Sequence, residues 1–315
     1  MPFVTAFYRA LGTGMVISVD SPIDDKVRSA MESLIEDYEH VLSRFRNDSL
    51  IAAIGKAEHG GSFDFPDWCA PLFDLYDALF SATSGEIDPC VGEDLIRLGY
   101  DASLSFTVTQ DAPEHLGALR GRAVWGRDVT RHGTTLVTHE PVQLDFGACG
   151  KGYLVDLLGR MLQSSQFVID AGGDLLIHAE QPISVALEDP EDQSHAIGIA
   201  HIANGALCAS APSRRHWNVA VNERTQIAIH HLLNAIDGLP AQQTEASWAY
   251  IPANATLNLA RDYPTAVADG LATALFVSDV AQLQRTFDFT YATLDESRQI
   301  AVSRNFPAEL FLRSA

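Results

Sequence analysis

The chain is short of positive charge. Lys and Arg total 21 of its 315 residues against 41 Asp and Glu, a formal net charge of −20 at pH 7. A surface of that sign repels phosphate backbones, so no nucleic-acid partner is expected. A bound anion would need a local device to offset the field, such as a divalent metal or a cluster of backbone N–H groups. A metal-assisted phosphate site is therefore the form to look for.

Cysteine is also scarce. Cys69, Cys90, Cys149 and Cys208 are widely spaced with no CxxC, which indicates neither a zinc site nor a disulfide framework and leaves four reduced, mostly buried thiols. Long apolar runs are missing too: Arg9 and the Gly12–Gly14 turn break up the N-terminus, and no stretch reaches membrane-spanning length. The expectation is a cytoplasmic protein without a membrane span. There is no internal repeat, low-complexity tract or long linker. With 47% hydrophobic residues, the chain can bury the core of one large domain or two tightly joined ones.

Periodicity sets out the elements. Residues 15–19 read as a strand, and "DDKVRSAMESLIEDYEHVLSRF" as an amphipathic helix with Asp24 and Asp25 at its start. A second helix is predicted over 66–83, then an irregular region with strand-like pieces at 104–108 and 135–137. A helix over 152–162 precedes "FVIDAGGDLLIH". Short strands are expected at 183–187, 197–202, 206–209, 217–221, 227–233 and 248–251, and helices at 266–277 and 280–287. So many short strands between turns argue for a mainly antiparallel sheet with packed helices, an α+β fold of two intimately joined subdomains.

Two stretches carry the chemistry. "VADGLATAL" places Asp269 and Thr273 four apart, so on a helix a carboxylate and a hydroxyl project from one face, a turn from each other. A hard cation such as Mg²⁺ takes oxygen ligands of this kind. Taken alone, the pair fits a helix cap and a back-bonded hydroxyl more often than a metal. In "DFGACGKGYLVD", Gly147, Gly150 and Gly152 border a helix start, where backbone can approach a ligand and N–H groups can meet an anion, with Lys151 as the cation. The GxxGxG spacing reverses the dinucleotide fingerprint. A tight strand-to-helix turn would explain the glycines but not both Asp145 and Lys151.

Three further pieces are ambiguous by themselves. "DAGGDLL" reads as a turn between strands. "HHLLNAIDGLP" sets His230 and His231 in a strand-like run, one facing each side of the sheet, and such histidines are usually structural unless a pKa near working pH makes one a base. "SRRHW" concentrates Arg214 and Arg215, which would hold phosphate or carboxylate or form salt bridges within the chain.

In order, "LGTGMVISV", "LSRFRNDSLIAAIG", "TSGEIDPCVGEDLIRLGYD", "LDFGACGKGYLVD", "FVIDAGGDLL", "HHLLNAIDGLP" and "VADGLATALFV" make the chain resemble the ApbE family of FAD:protein FMN transferases over about residues 10 to 280. The resemblance implies a single ApbE-like domain over residues 1–315. Its implied activity is Mg²⁺-dependent transfer of FMN from FAD to a Ser or Thr hydroxyl of an acceptor flavoprotein, releasing AMP. The alternatives are an FAD pyrophosphatase and a non-catalytic FAD-binding protein.

Carried over by position, the resemblance gives the metal to Asp269, Thr273 and the Ala148 carbonyl. It gives FAD contacts to Leu11, Glu86, Ile87, Asp88, Asp145, Lys151 and Leu233, with Gly172, Gly173 and Asp174 as the turn beside the flavin. His231 becomes the candidate base and Asp269 the catalytic metal ligand. Departures from the family pattern are Leu11 for Met, Gly55 for Asn, Cys90 for Thr, and "HLLNAIDGLP" for HIIDPxTGxP.

Overall fold

Alternation of buried and exposed side chains builds the central sheet. In the strand Thr13–Val19, Met15, Ile17 and Val19 point into the core while Gly14 and Val16 face out. The computed structural model describes residues 1–222 and 225–311, with side chains omitted at residues 9, 214, 220–222 and 225–227. Among these, nine strands form one sheet in which every ladder is antiparallel. The order is Phe3–Ala10, Thr13–Val19, Phe167–Asp170, Asp174–Glu188, Ala196–Ser210, Thr244–Pro252, Thr290–Asp295 and Ile300–Val302, with Ala308–Leu310 pairing alongside residues 198–200.

Several expected short strands are pieces of longer ones. Asp174–Glu188 and Ala196–Ser210 run 15 residues each, because the backbone ladder continues through polar positions that interrupt the apolar pattern. Gly205 permits this at one crossing: a Cβ there would lie 2.4 Å from the Ile251 carbonyl oxygen of the next strand. Both faces of the sheet are covered. Ala206, Cys208, Ala249 and Ile251 join the main core, while their neighbours Leu207 and Trp248 join a second cluster with Leu187 and Leu294.

Four helices bear on the site. Asp25–Leu42 is capped by the Asp24 carboxylate, which accepts from the Lys26 N–H at 2.8 Å, and buries Met31, Ile35, Tyr38 and Leu42. Ala70–Ala82 starts later than expected because Asp67–Cys69 forms a separate tight turn. Gly150–Gly159 and Pro264–Ala274 pack together over the sheet, each shifted about two residues toward its N-terminus from the expected span. The 280–287 segment is helical only over Val280–Leu283.

Two strand expectations fail. Residues 104–108 form a loop, because the Asp101 carboxylate takes hydrogen bonds from Ser103 and Ser105 and holds the chain in a turn, with Leu104 and Phe106 at positive φ. The run 227–233 is divided: the strand Thr225–His230 ends before His231, and Leu233–Asn234 pairs separately with Leu239–Pro240. His230 and His231 therefore do not face opposite sides of one ladder. All four cysteines are free and buried, and among the described residues no helix is long and apolar enough to cross a membrane.

Candidate functional site

Two helices that lie more than a hundred residues apart in sequence cross at the centre of the site. The Gly152 N–H donates to Oδ2 of Asp269 at 2.9 Å. In return, Asp156 accepts from the N–H groups of Thr265 and Ala266 at 3.1 and 2.8 Å, satisfying orphan donors at the start of Pro264–Ala274. Gly152 is obligatory here. A Cβ on it would lie 2.3 Å from the Thr265 carbonyl oxygen, so the crossing needs bare backbone. Burial raises the pKa of Asp269, against the pull of Lys151 and the Gly152 N–H.

One turn along, the Thr273 hydroxyl donates to the Ala148 carbonyl at 3.3 Å, with Ser210 Oγ 3.5 Å away. The structure thus gathers a carboxylate, a hydroxyl and a main-chain carbonyl at one cleft wall. The donor set is all oxygen, which suits a hard divalent cation that keeps other positions for water or phosphate. Among the described residues, no three His, Cys, Asp or Glu side chains gather to hold a metal ion, so a cation here would rest on this one carboxylate with the hydroxyl and the carbonyl.

Lys151, expected as the cation of this stretch, lines the cleft and has a carboxylate partner of its own. Its ammonium forms an ion pair with Asp174, whose side chain is fully buried. Asp174 follows Gly172 and Gly173, both at positive φ in the turn joining Phe167–Asp170 to Asp174–Glu188. Gly172 lines the cleft, while Asp174 lies behind it and fixes the lysine.

The remaining positions surround the same cleft. Asp145 accepts from the Gly147 N–H at 2.6 Å and pairs with Arg44. Glu86 accepts from Asn234 and Ser278, and its carbonyl accepts from the Ala235 N–H at 3.0 Å. Ile87 and Leu233 are buried apolar lining. The Asp88 carboxylate caps the turn at Pro89 through the Cys90 N–H and faces the buried Arg122, so its side chain is committed to structure even though the residue borders the cleft. Burial raises its pKa, with Arg122 opposing. Leu11, at φ 54, donates its N–H to Glu39 at 2.9 Å and also lines the cleft.

His231 stands half-buried at the wall. Its Nδ1 lies 3.2 Å from the Arg215 carbonyl, an atom that can only accept, so Nδ1 carries the proton and Nε2 presents a lone pair. Loss of hydration, with the Arg215 charge adding, pushes its pKa down to about 4. In "SRRHW", the Arg214 side chain lies outside the described residues, and Arg215 donates to the Tyr100 hydroxyl rather than forming a salt bridge with a described residue. The whole cleft measures about 990 Å³, at the top of the usual range of about 300–1,000 Å³ for small-molecule sites, and suits a long ligand.

A family model described as the ApbE family matches residues 11–293. The chain belongs to the ApbE family. Among curated relatives, a FAD:protein FMN transferase of Klebsiella pneumoniae (strain 342) is 23% identical over 274 residues, covering 83% of this chain and 74% of that one. One of Treponema pallidum (strain Nichols) is 26% identical over 286 residues, covering 80% and 72%. Among solved structures, the ApbE protein of Thermotoga maritima superposes with a TM-score of 0.76 at 18% identity, covering 98% of this chain and 99% of that one. The flavin transferase ApbE of Vibrio cholerae gives 0.76 at 16%, covering 96% and 97%. These superpositions show that the α+β fold is the ApbE fold.

Sequence reading missed two arginines, Arg44 in this ApbE cleft and Arg122 buried behind its wall. Arg44 sits inside "LSRFRNDSLIAAIG", beside Phe45 in a cation-poor chain, which is the only signal that marks it. Arg122 falls in the irregular region and has none. It is wholly buried, pairs with Asp94 at 2.8 Å and donates to the Ala235 carbonyl at 2.7 Å, tying the Asp88 turn to the wall that carries Leu233.

Proposed function

We propose that the chain transfers FMN from FAD to a Ser or Thr hydroxyl of an acceptor flavoprotein, in a Mg²⁺-dependent reaction that releases AMP. The observation carrying this reading is the meeting of Asp269, Thr273 and the Ala148 carbonyl at the wall of a long cleft. The curated relatives are named for the same transfer.

Of the cleft's cations, Lys151 faces Asp174, Arg44 faces Asp145 and Arg46 faces Glu36 and Asp48, which leaves Arg215 alone without a carboxylate among the described residues. A dinucleotide's diphosphate therefore needs added positive charge in this acidic protein. Mg²⁺ held by Asp269, Thr273 and Ala148 would supply it, neutralising charge on the departing AMP phosphate. The acceptor oxygen forms a bond to the FMN-side phosphorus as the P–O bond to AMP breaks. Nε2 of His231 faces the acceptor hydroxyl and takes its proton, directly or through a water. Gly172, Ile87 and Leu233 shape the walls that hold the nucleotide.

The test is incubation of the full chain with FAD, Mg²⁺ and a Ser/Thr-containing acceptor, followed by mass spectrometry of the acceptor and assay of AMP. Covalent FMN on the acceptor together with AMP supports transfer. AMP without flavinylated acceptor identifies a pyrophosphatase, and binding without AMP identifies a carrier. D269A should abolish Mg²⁺-dependent turnover while the protein still folds; unchanged turnover would remove the metal assignment.

A further inference from the structure

Arg44 is held on almost every side. Its Nε donates to Asp145, and its Nη1 donates to the Tyr100 carbonyl at 2.5 Å. Its Cζ sits 4.2 Å from the Phe45 ring centroid and 4.7 Å from that of Tyr100. The side chain is only 7% exposed. Yet Nη2 is buried with no hydrogen-bond partner among the described residues, and Arg44 lines the cleft. A buried N–H without an acceptor is costly, and native structures rarely leave one so unless something else supplies the acceptor.

Resting on the reading of the cleft as an FAD site, we propose that Arg44 Nη2 donates to an uncharged acceptor atom, a carbonyl oxygen or ring nitrogen, on one of the dinucleotide's two ring systems. The charge balance selects a neutral acceptor, since Asp145 already neutralises the guanidinium. The geometry is preorganised, because two hydrogen bonds and two aromatic faces fix the fork before ligand arrives. Asp145 also receives the Gly147 N–H, so Arg44 is anchored to the loop that carries the Ala148 carbonyl. Ring recognition and the oxygen cluster are thereby set at a fixed separation.

The experiment measures affinity by calorimetry on the full chain and R44K, using FMN, AMP and FAD, each in Mg²⁺ and without an acceptor protein. Lysine keeps a cation against Asp145 but has no Nη2. R44K should bind FAD roughly tenfold or more weakly, with the loss confined to FMN or confined to AMP, which identifies the ring. Wild-type affinity of R44K for all three ligands, or equal weakening of FMN and AMP, overturns the proposal. If R44K does not fold, the double variant R44Q/D145N removes both charges together and is read by the same comparison. Wild-type protein that binds none of the three overturns the FAD reading itself, and this inference with it; wild-type binding with unaltered R44K overturns this inference alone.

Discussion

The Asp269 carboxylate receives the N–H of Gly152 at 2.9 Å, across 117 residues of sequence. That one bond decides where the oxygen cluster stands. It is made possible by the absence of a side chain on Gly152, and it turns the Asp269 carboxylate of one helix toward the first turn of the other.

G152A tests this crossing. Alanine gains about 1 kcal/mol of helix propensity over glycine, but its Cβ would meet the Thr265 carbonyl oxygen at 2.3 Å and carbon at 2.7 Å, which are backbone atoms that cannot swing aside. Overpacking costs of about 1–3 kcal/mol should win, lowering the unfolding midpoint and any Mg²⁺-dependent turnover together. G150A is the control, since its Cβ would meet side chains alone, the Tyr38 hydroxyl at 3.3 Å and Phe146 Cβ at 3.8 Å. Equal stability of the two variants in denaturant titrations would show that the helices do not cross so closely.

Lys151 and Asp174 make a second case. Removing the ammonium with K151M leaves a carboxylate with no exposed surface and no cation, a change that typically costs about 3–5 kcal/mol. The double variant K151M/D174L should recover most of that loss, because it removes both charges. A K151M protein as stable as wild type would mean that the pair contributes nothing and that the lysine is free for ligand.

The parts of this molecule that were legible in the sequence are those governed by local rules. The helix Asp25–Leu42 announces itself by 3.6-residue periodicity and an Asp cap, and the GGD turn by two glycines that adopt positive φ. Asp269 and Thr273 were readable as a pair because four residues on a helix fix their relation. What remained hidden was set by partners far away in sequence: Lys151 finds Asp174, Asp145 finds Arg44, and Asp88 finds Arg122. No periodicity reports that a charge will be spent on such a partner. The loop at 104–108 misled for a related reason, since the Asp101 side chain outcompetes a strand that composition favours.

Asp156 makes stability depend on pH. Burial pushes its pKa up to about 7, from 3.8 for the free group, although two backbone N–H groups favour the charged form. The folded protein therefore holds a proton between about pH 4 and 7 that the unfolded chain has released. Its contribution is complete below about pH 4 and is lost as pH rises through 7. The stability difference between wild type and D156N, followed by urea titration, should fall across that window and level off above it. A difference that is flat from pH 4 to 8 would place the ordinary carboxylate pKa on Asp156.

His231 moves in the opposite sense. Its pKa is pushed down to about 4, below the 6.5 of a free histidine, so its contribution to stability is full above about pH 6.5 and fades as pH falls toward 4. The same shift governs chemistry. A neutral ring with Nδ1 tied to the Arg215 carbonyl keeps Nε2 open across the physiological range. If Nε2 takes the acceptor's proton, the acidic limb of kcat/KM for flavin transfer should lie near pH 4 instead of near 6.5. H231A should lose that limb and lower transfer far more than it weakens FAD binding. Equal losses in both, with an unchanged pH profile, would assign the ring to holding the wall in place, because a structural imidazole has no reason to set the acid side of the rate.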